Sequence, residues 1–409
     1  MGSSASDRYT MRGKYFAQTN SVSLQKGMQM KTINGRYASA AVFTANDESI
    51  AMEDYAAAQL QMLCDNITAA GCRIRVMPDV HPGKVATIGL TMTVGDCLMP
   101  GLIGLDIGCG ITLAQIKGKK PEFQKLDTII REHIPSGFAI REKTHRYAKD
   151  FSLETLRCFT AVRESKALLS LGTLGGGNHF IEIDKDEDGA LYAAIHTGSR
   201  HLGKEVTDYY MARGQKRLKE QGVSVPYELT YLEGELKENY LHDLQTVQAF
   251  ASLNRLVILD ELAKGMKWKI LNVRDCIHNY VDASAPVLET FHAPMLRKGA
   301  ISAQKGEFVA IPINMKDGII LGKGLGNPEW NCSAPHGSGR LLNREAVKSQ
   351  FTVSAFKAAM KGIYCSCISK DTLDEAPFAY RPMDAIAEAI QATVEIEKII
   401  RPVYSFKAG

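Results

Sequence analysis

A carboxylate and a thiol, Asp106 and Cys109, lie three residues apart in the glycine-rich stretch 104–110. Glycines around them remove side-chain clashes, so the backbone can bend and aim both groups at one point. Carboxylate, thiolate and imidazole are the side-chain types that bind transition metals. The pair alone fits an ordinary tight turn beside a packed polar residue equally well, so a metal site depends on what else the chain supplies.

Imidazoles in similar settings complete a candidate metal set. His179 follows a glycine run, His196 precedes Thr-Gly-Ser, and His278 precedes Asn-Tyr. A hairpin-like segment separates His179 from His196, and neighbouring antiparallel strands would bring the two together. With Asp106 and Cys109, these residues suffice for one metal with spare groups or for two metals that share the thiolate. Structural zinc sites more often show closely spaced Cys/His pairs, which this set lacks.

His336 has different surroundings, because the segment 337–340 that follows it reads Gly-Ser-Gly-Arg. Backbone N–H groups and a guanidinium could meet a phosphate there. A neutral imidazole at this place could bind metal or attack phosphorus as a nucleophile. An ordinary turn is the alternative. His81 and Lys84 are further candidates for the same site.

Other reactive groups carry less information. Five cations could neutralise phosphates, although each alone is more often a solvated surface residue: Arg200, Arg297, Lys298, Arg340 and Arg344. The run Gly172-x-x-Gly175-Gly-Gly resembles a dinucleotide loop, but it precedes a strand and lacks the helix that would hold a pyrophosphate, so we reject that interpretation. The pair Cys365 and Cys367 is too isolated to indicate a metal site, and we interpret it as buried or incidental.

Composition sets the outer bounds. The chain has 409 residues, 45% hydrophobic and 23% charged, which is ordinary for a globular protein with a sizeable core. A net charge of +4 permits an anionic partner without predicting one. Nine cysteines with no secretory segment before them argue against a disulfide framework and for a reducing, cytoplasmic location. No apolar run approaches the roughly twenty residues of a membrane helix. We expect residues 1–15 to be a cloning remnant or a flexible N-terminus.

The elements that must position these residues are short strands and a few helices. Asn34-Gly35 predicts a hairpin turn, and strands are predicted at 73–77, 86–94, 111–117 and 191–195. Helices are predicted at 47–70 with Asp47 as the cap, at about 203–221 and 234–265, and from Asp384 to a stop before Pro402. We expect a turn at 78–84 and a largely helical peripheral layer at 121–170. No repeat or linker is present, and strand–helix alternation is too irregular for a doubly wound sheet, so the pattern indicates one α+β domain.

The motifs together resemble the RtcB family of RNA ligases. The resemblance is carried by Met77-Pro-Asp-Val-His-Pro-Gly-Lys84, Gly104-Leu-Asp-Ile-Gly-Cys-Gly110, Gly172-Thr-Leu-Gly-Gly-Gly-Asn-His-Phe-Ile-Glu182, His196-Thr-Gly-Ser-Arg200, His278-Asn-Tyr-Val281, Arg297-Lys-Gly-Ala300, Gly324-Leu-Gly-Asn327 and His336-Gly-Ser-Gly-Arg340. These motifs occur in family order from about residue 74 to Lys407. The resemblance implies a single large catalytic domain at 16–409, with mixed β-sheets around a central metal and nucleotide site and with peripheral helices.

The resemblance also implies a GTP- and manganese-dependent ligase. Such an enzyme joins an RNA 3′-phosphate or 2′,3′-cyclic phosphate end to a 5′-hydroxyl end. By analogy, two Mn²⁺ ions would be held by Asp106, Cys109, His179, His196 and His278, with Cys109 bridging them. His336 would attack the α-phosphorus of GTP and become guanylylated. The guanylate would then pass to the RNA 3′-phosphate, and the 5′-hydroxyl would displace GMP.

A guanylate pocket follows from the same resemblance. Its expected residues are Asn178, His179, Phe180, Ile181, Glu182, His278, Asn279, Pro312, Ile313, Asn314, Met315, Gly337, Ser338, Gly339, Tyr380 and Lys407. Glu182 only accepts hydrogen bonds when ionised, which suits the N–H edge of guanine and would favour GTP over ATP. Tyr380 is expected to stack near the base.

Five positions depart from the family pattern. The guanylate loop reads Pro312-Ile-Asn-Met315 where the family shows Pro-Gly-Ser-Met, and Ile319 stands near an expected serine. Pro335 replaces a serine and Pro82 a leucine. A branched residue at 313 restricts the backbone where phosphate or ribose would approach. The chain therefore resembles a divergent branch, with weaker GTP use, altered end specificity or a particular repair substrate.

Two other functions stay open. A dinuclear-metal RNA phosphodiesterase or phosphatase would keep the metals and lose ligation, and it would not need guanylate on His336. A non-catalytic protein that binds RNA ends would use metals only to recognise phosphate. The expected partner is RNA with the ends named above, from tRNA or another cleaved RNA, without a membrane. The sequence leaves open an accessory activating protein, and a monomer is the default expectation.

Overall fold

A computed structural model describes residues 28–45, 52–118 and 121–408. The expected N-terminal remnant at 1–15 and the proposed cap Asp47 lie outside the described residues. The fold is α+β, as predicted, and the strands lie in two large sheets and two short ladders.

The strands of the described residues are β1 Met28–Asn34, β2 Ser39–Ala45, β3 Ile74–His81, β4 Ile88–Thr93, β5 Cys97–Leu98, β6 Gly110–Lys117, β7 Phe180–Lys185, β8 Leu191–Thr197, β9 Leu232–Glu233, β10 Lys269–Ile277, β11 Asn279–Asp282, β12 Met295–Lys298, β13 Ala300–Ser302, β14 Phe308–Asn314, β15 Gly318–Gly324, β16 Ser333–Pro335 and β17 Val394–Lys407. The α-helices are α1 Asp54–Cys64, α2 Pro100–Ile103, α3 Phe123–His133, α4 Glu164–Leu169, α5 Arg200–Glu220, α6 Gly234–Met266, α7 Ala285–Phe291, α8 Arg344–Gln350, α9 Val353–Ala359 and α10 Met383–Ala389.

The larger sheet has the strand order β10-β6-β8-β7-β17-β15-β14, and every neighbouring pair in it is antiparallel. The six-stranded sheet has the order β1-β2-β3-β4-β12-β11, in which β2 and β3 run parallel. The predicted turn at Asn34-Gly35 joins β1 to β2, because Asn34 pairs with Ser39. Antiparallel order places consecutive strand ends at one edge of a sheet, where loops can meet.

The long helix α6 supports the larger sheet from behind. Its buried residues recur at helical spacing, from Tyr240 and Leu244 through Val247 and Ala251 to Ile258. Together with α3, α6 packs on the face of the sheet that carries the buried residues Ile181, Ile183, Tyr404 and Phe406. The opposite face carries Phe180 and packs in a second apolar cluster that includes α10. A sheet covered on both faces is a rigid base for loops at its edge.

Three predictions of secondary structure are wrong. The segment 78–84 is not all turn, because β3 continues to His81. The register of β3 against β4 shifts between Val76 and His81, and the buried Arg381 guanidinium donates instead to the carbonyls of Pro78 and Val80, at 2.7 and 2.8 Å. A distant side chain thus satisfies backbone groups that the pattern assigned to a turn.

The segment 121–170 is much less helical than predicted. Helix α3 ends at His133, shortly before Pro135, which disfavours helical backbone in the residue before it. The following residues form turns and two 3-10 segments, Arg146–Asp150 and Phe159–Ala161, before α4. Buried side chains such as Leu153 and Leu156 pack in the main core although no helix carries them.

The predicted helix from Asp384 to Pro402 stops early. Helix α10 ends at Ala389, and Val394 to Lys407 form the longest strand of the structure's described part. Apolar residues at 394, 396, 399 and 400 fit either period. Their β-branched side chains favour a strand, and pairing with β15 satisfies the backbone. Helix α1 is also shorter than predicted, since a separate 3-10 turn follows it at Ile67–Ala69.

Candidate metal and nucleotide site

One edge of the larger sheet gathers the reactive residues. Gly110 of β6 pairs with Ile277 of β10 and with Thr197 of β8. Phe180 of β7 pairs with His196 of β8 and with Lys407 of β17. Five adjacent strands therefore reach this edge together. The register of these strands therefore brings their flanking residues together. Among these flanking residues are Cys109, His179 and His278.

The structure brings all five predicted metal ligands together in two triads that share one thiol. Cys109, His196 and His278 form one triad, and Asp106, Cys109 and His179 form the other. Within each triad the ligand atoms lie within 4.8 Å of one another. The Cys109 Sγ lies 3.3 Å from His196 Nε2 and 3.5 Å from His179 Nε2. A shared central sulfur is the arrangement that a thiolate bridge between two ions requires.

Backbone carbonyls orient two of the imidazoles. His179 Nδ1 lies 2.8 Å from the carbonyl oxygen of Leu174, and His196 Nδ1 lies 3.2 Å from that of Asn178. When Nδ1 donates its proton to a carbonyl, Nε2 is left with a lone pair for a metal. Both Nε2 atoms face the cluster, because His179 Nε2 is 2.9 Å from Asp106 and His196 Nε2 is 3.4 Å from His278 Nε2.

Burial keeps the imidazoles of His196 and His278 neutral. Burial, reinforced by neighbouring imidazoles, holds the pKa of His196 and of His278 well below the usual range for histidine. Burial opposes ionisation of Asp106, but the hydrogen bond and charge of His179 outweigh it and hold the pKa of this carboxyl below its usual range. Burial and the Asp106 carboxylate raise the pKa of the Cys109 thiol. Neutral imidazoles, a carboxylate and a thiol that a bound cation would deprotonate are a donor set that fits transition metals.

Two glycines make the close packing of this cluster possible. A side chain at Gly198 would lie 2.2 Å from Asp106 Oδ1, and one at Gly108 would lie 2.8 Å from the Ala251 Cβ on α6. Gly108 also has a φ of +71°, which L side chains rarely adopt. The glycine-rich sequence around Asp106 and Cys109 therefore serves close approach to the helix as well as bending.

Two buried residues of α6 hold the ligand loops, and the sequence analysis missed both. The Arg255 guanidinium donates to the carbonyls of Gly108 and Thr197, each at 2.8 Å, and pairs with Asp275 at 2.7 Å. Asn254 Oδ1 accepts from the backbone N–H of Gly172 at 2.7 Å, and its amide donates to Gly198 at 3.1 Å. The sequence did carry one indication of their role. Asn254 and Arg255 lie among the apolar residues that α6 buries, and a buried charge must have partners.

His336 lies beside the metal cluster. Its ring centroid is 4.8 Å from that of His278, and its Nδ1 is 2.6 Å from Asp79 Oδ2. Asp79 is fully buried on β3, between the carbonyls that Arg381 binds. An Nδ1–H donated to this carboxylate leaves Nε2 as the free nitrogen of His336. Sequence reasoning did not single out Asp79, although it sits in the motif at 77–84.

A cleft opens from His336. Most of the expected guanylate-pocket residues line it: Asn178, Phe180, Glu182, Pro312, Ile313, Asn314, Met315, Gly337, Ser338, Gly339, Tyr380 and Lys407. His81, His196, Arg340 and Arg344 line it as well.

Strand alternation decides which residues of β7 and β17 face the cleft. Phe180, Glu182 and Lys407 line it, and Ser405 donates to Glu182 Oε1 at 2.8 Å. Ile181 faces the opposite side and is fully buried in the apolar cluster against α3 and α6. The prediction that the Ile181 side chain lines the pocket is therefore wrong, because successive residues of a strand point to opposite faces. Burial raises the pKa of Glu182 to about 7.

Three other expected pocket residues lie beside the cleft instead of in its lining. His179 and His278 belong to the metal triads. Asn279 is buried and holds backbone: its Oδ1 accepts from the Gly299 N–H at 3.0 Å, and its amide donates to the Asp106 carbonyl at 3.3 Å. His336 thus lies between the candidate metal ligands and the rest of the cleft lining.

A buried ion network closes the far end of the cleft. Glu375 accepts from Lys407 Nζ at 2.9 Å and from the Tyr380 hydroxyl at 2.5 Å, and it pairs with Arg344 at 2.8 Å. The Arg340 guanidinium lies 5.1 Å from the centroid of the Tyr380 ring. Although burial opposes its ionisation, the cations Lys407, Arg344 and Arg340 lower the pKa of Glu375 to about 2. The network orients two side chains of the cleft lining, Tyr380 and Lys407.

The positions that depart from the family pattern differ in their access to the cleft. Ile313 lines it, and its carbonyl accepts from the Ser338 hydroxyl at 2.8 Å, which joins the loop 312–315 to the loop after His336. Asn314 also lines it, and its Oδ1 accepts from the backbone N–H groups of Lys316 and Asp317. Ile319 is fully buried in the core and does not line the cleft. Pro335 lies in the short ladder of β16 and pairs with Ala300.

The candidate phosphate cations are less exposed than expected. Arg297 is fully buried and pairs with Asp282 at 2.5 Å, and Lys298 donates to the Ile103 carbonyl at 2.9 Å. Arg200 binds Thr173 and Gly137 behind the glycine loop. Only Arg340 and Arg344 of the five line the cleft. Within the described ranges, no helix is long and apolar enough to cross a membrane.

Comparisons with known proteins identify the family of the chain. A family model described as "tRNA-splicing ligase RtcB" matches residues 62–159 and 154–408. RNA-splicing ligase RtcB1 of Escherichia coli strain ATCC 25922 is 32% identical over 368 residues, which cover 82% of this chain and 90% of that protein. RNA-splicing ligase RtcB2 of the same strain is 28% identical over 90% of this chain and 96% of its own length. A tRNA-splicing ligase RtcB of Pyrobaculum aerophilum is 26% identical over 80% and 85%. The chain belongs to the RtcB family.

Proposed function

We propose that this protein is an RNA ligase that acts in RNA repair or tRNA splicing. It joins RNA 3′-phosphate or 2′,3′-cyclic phosphate ends to 5′-hydroxyl ends and uses GTP and Mn²⁺. The observation that carries the proposal is the position of His336. Its ring centroid lies 4.8 Å from that of His278 in the metal cluster, and its side chain lines the cleft. The names of the relatives, which describe RNA-splicing and tRNA-splicing ligases, support the same activity.

His336 acts as the nucleophile in the first step. The Asp79 carboxylate accepts a hydrogen bond from Nδ1–H and stabilises the positive charge that develops on the ring. Nε2 attacks the α-phosphorus of GTP; the N–P bond forms, the bond to the bridging oxygen breaks, and pyrophosphate leaves.

The following steps transfer the guanylate. An oxygen of the RNA 3′-phosphate attacks the same phosphorus, and His336 leaves as neutral imidazole, which gives RNA-(3′)pp(5′)G. The 5′-hydroxyl of the second RNA then attacks the 3′ phosphorus, and GMP leaves as the new phosphodiester forms. A cyclic phosphate must first be opened by water to a 3′-phosphate.

The residues present fit a pair of transition-metal ions. Asp106, Cys109 and His179 would hold one ion, and Cys109, His196 and His278 would hold the other. Bound metal supplies Lewis-acid stabilisation of the charge on phosphate oxygens. Glu182 at the back of the cleft accepts from the N–H edge of guanine, while Lys407 and Tyr380 hold the base and ribose end. We propose RNA as the only macromolecular substrate and leave an accessory activating protein to experiment.

The test is covalent labelling. The protein is incubated with Mn²⁺ and GTP that carries label on the α-phosphorus, and the wild type is compared with His336→Ala. His133→Ala is the matched control, because His133 is exposed at the end of α3. We expect an acid-labile, alkali-stable label in the wild type and in His133→Ala, and none in His336→Ala. If metal-loaded wild type takes up no label but hydrolyses cyclic-phosphate RNA, the protein is a dinuclear-metal phosphodiesterase instead.

A further inference from the structure

The thiols of Cys365 and Cys367 lie close together beside the cleft. Their Sγ atoms are 3.3 Å apart, and both residues are half-buried, so a small oxidant can reach them. The pair packs in the apolar cluster that also contains Met315 and Tyr380 of the cleft lining. The mechanism proposed above uses neither thiol.

The cysteine segment is attached to the end of β17, which carries cleft residues. The Tyr364 N–H donates to the Val403 carbonyl at 3.1 Å, and the Ser405 N–H donates to the Tyr364 carbonyl at 3.0 Å. The Cys367 Sγ accepts from the Lys407 N–H at 3.2 Å. Lys407 presents its ammonium to Glu375 and to the cleft. A change at the Cys367 sulfur therefore acts directly on the backbone of a cleft residue.

Cys367 is the reactive member of the pair. A hydrogen bond from Cys365, helped by the Lys407 N–H and by the Lys407 charge, outweighs burial and lowers the pKa of Cys367 to about 7. Each of the eight other cysteines has its pKa raised, with burial or the Cys367 sulfur as the main cause. Since the thiolate is the nucleophile, Cys367 reacts with peroxides before the others, and Cys365 is within reach to resolve the product.

We propose that Cys365 and Cys367 form a thiol modification site, which hydrogen peroxide oxidises to a disulfide and which thereby weakens nucleotide binding in the cleft. The Cys367 thiolate attacks one peroxide oxygen; the O–O bond breaks, and sulfenic acid and hydroxide form. The Cys365 sulfur then attacks the oxidised sulfur, the S–O bond breaks, and water leaves. In total the two thiols lose two electrons and two protons, and the peroxide becomes two water molecules. A dithiol reductant reverses the change by exchange.

The effect on the cleft follows from geometry. A disulfide bond is about 2.05 Å long, so the sulfurs must approach from the 3.3 Å seen in the structure. The movement draws the Cys367 sulfur away from the Lys407 N–H, and oxidation removes the negative charge of the thiolate beside the Lys407 backbone. Lys407 thus loses one hydrogen bond at its backbone. This consequence rests on the proposed function, whereas the oxidation itself does not.

The test combines mass spectrometry with guanylate labelling in the metal-loaded protein. Wild type and Cys367→Ser are treated with hydrogen peroxide, and the ratio of label after and before treatment is measured for each. We expect the wild-type peptide with both cysteines to lose two hydrogen atoms while the half-buried Cys72 and Cys97 stay reduced. Its label should fall by about tenfold, the effect of one lost charge-assisted contact, and return with dithiothreitol. The ratio for Cys367→Ser should stay near one.

Two results would overturn the proposal. One is a wild-type pair that stays reduced when Cys72 and Cys97 are already oxidised. The other is an equal loss of label in Cys367→Ser, which would assign the sensitivity to Cys109 in the metal cluster. If untreated wild type takes up no guanylate at all, the proposed function fails, and the mass of the peptide still decides whether the disulfide forms.

Discussion

At the scale of single residues, the site depends on pairs in which one side chain sets the chemical state of another. Asp79 fixes the proton of His336, and carbonyls fix those of His179 and His196. These hydrogen-bond partners determine the tautomer and the orientation of each imidazole, so they affect the chemistry without touching the substrate. Asp79 is therefore a positioning residue for His336.

Replacement of Asp79 by Asn should slow guanylylation by about 100-fold or more. The amide cannot stabilise the developing imidazolium, and its N–H₂ group favours the tautomer with Nε2 protonated, which is not a nucleophile. Single-turnover labelling with GTP measures the rate, and equilibrium GTP binding should change little. A parallel loss of GTP binding, or of the folded state by circular dichroism, would mean that Asp79 acts on structure rather than on His336.

Glu182 predicts a pH dependence for nucleotide binding. Burial raises its pKa to about 7, so the free protein holds this carboxyl partly protonated at neutral pH. Only the carboxylate accepts from both N–H groups of guanine, so GTP affinity should rise about tenfold between about pH 6 and about pH 8. Calorimetric titration in a His336→Ala background measures it. Glu182→Gln, which does not titrate, provides the baseline for titration of the nucleotide; an equal rise in that variant would contradict the assignment.

At the scale of elements, the sequence was informative where local pattern and tertiary pairing agree. The hairpin at Asn34-Gly35, strands β4, β6 and β8, and helices α5 and α6 all appear close to their predicted bounds. The C-terminal strand was missed because residues 394–400 fit two periods, and only pairing with β15 decides between them. The continuation of β3 was missed because it depends on Arg381, about three hundred residues away in the chain.

The same distinction applies to the site. Ligand types in glycine turns suggested Asp106, Cys109 and the three histidines, and the structure places all of them in one cluster. Asp79, Asn254, Arg255 and Glu375 were not foreseen, because their roles arise from partners far away in the chain. Ile181 was placed in the pocket with its motif, although strand alternation turns its side chain to the core.

Glu375, which binds Lys407 at the end of β17, should make the stability of the fold sensitive to acid. Its pKa in the folded protein is lowered to about 2, below the unfolded value, so its contribution to stability is complete above that unfolded value and is lost as pH falls towards 2. The shift corresponds to roughly 3 kcal/mol of unfolding free energy. Urea denaturation between about pH 5 and about pH 3 should show a steeper loss of stability in the wild type than in Glu375→Gln. Glu397→Gln, at an exposed ion pair, should follow the wild type.

At the scale of the whole molecule, the metal cluster lies where the two large sheets meet. Cys109 and His196 belong to the edge of the larger sheet, while His278 connects β10 of that sheet to β11 of the six-stranded sheet. His336 contacts Asp79 on β3 of the six-stranded sheet. Bound ions would therefore tie together segments that are distant in the chain, and their binding free energy would add to the stability of the fold.

Removal of metal should consequently lower the melting temperature. With free Mn²⁺ at about 100 times its dissociation constant, each ion adds roughly 2.7 kcal/mol, which is about 3 °C for a chain of this size. We expect a chelator to lower the melting temperature of the wild type by about twice that amount. Because His278 belongs to one triad and Cys109 to both, His278→Ala should retain one ion and half of the shift, while Cys109→Ala should retain neither. Metal content measured on the same samples tests the bridge: if Cys109→Ala binds as much metal as His278→Ala, the thiol is not shared, and the two triads do not act as one dinuclear centre.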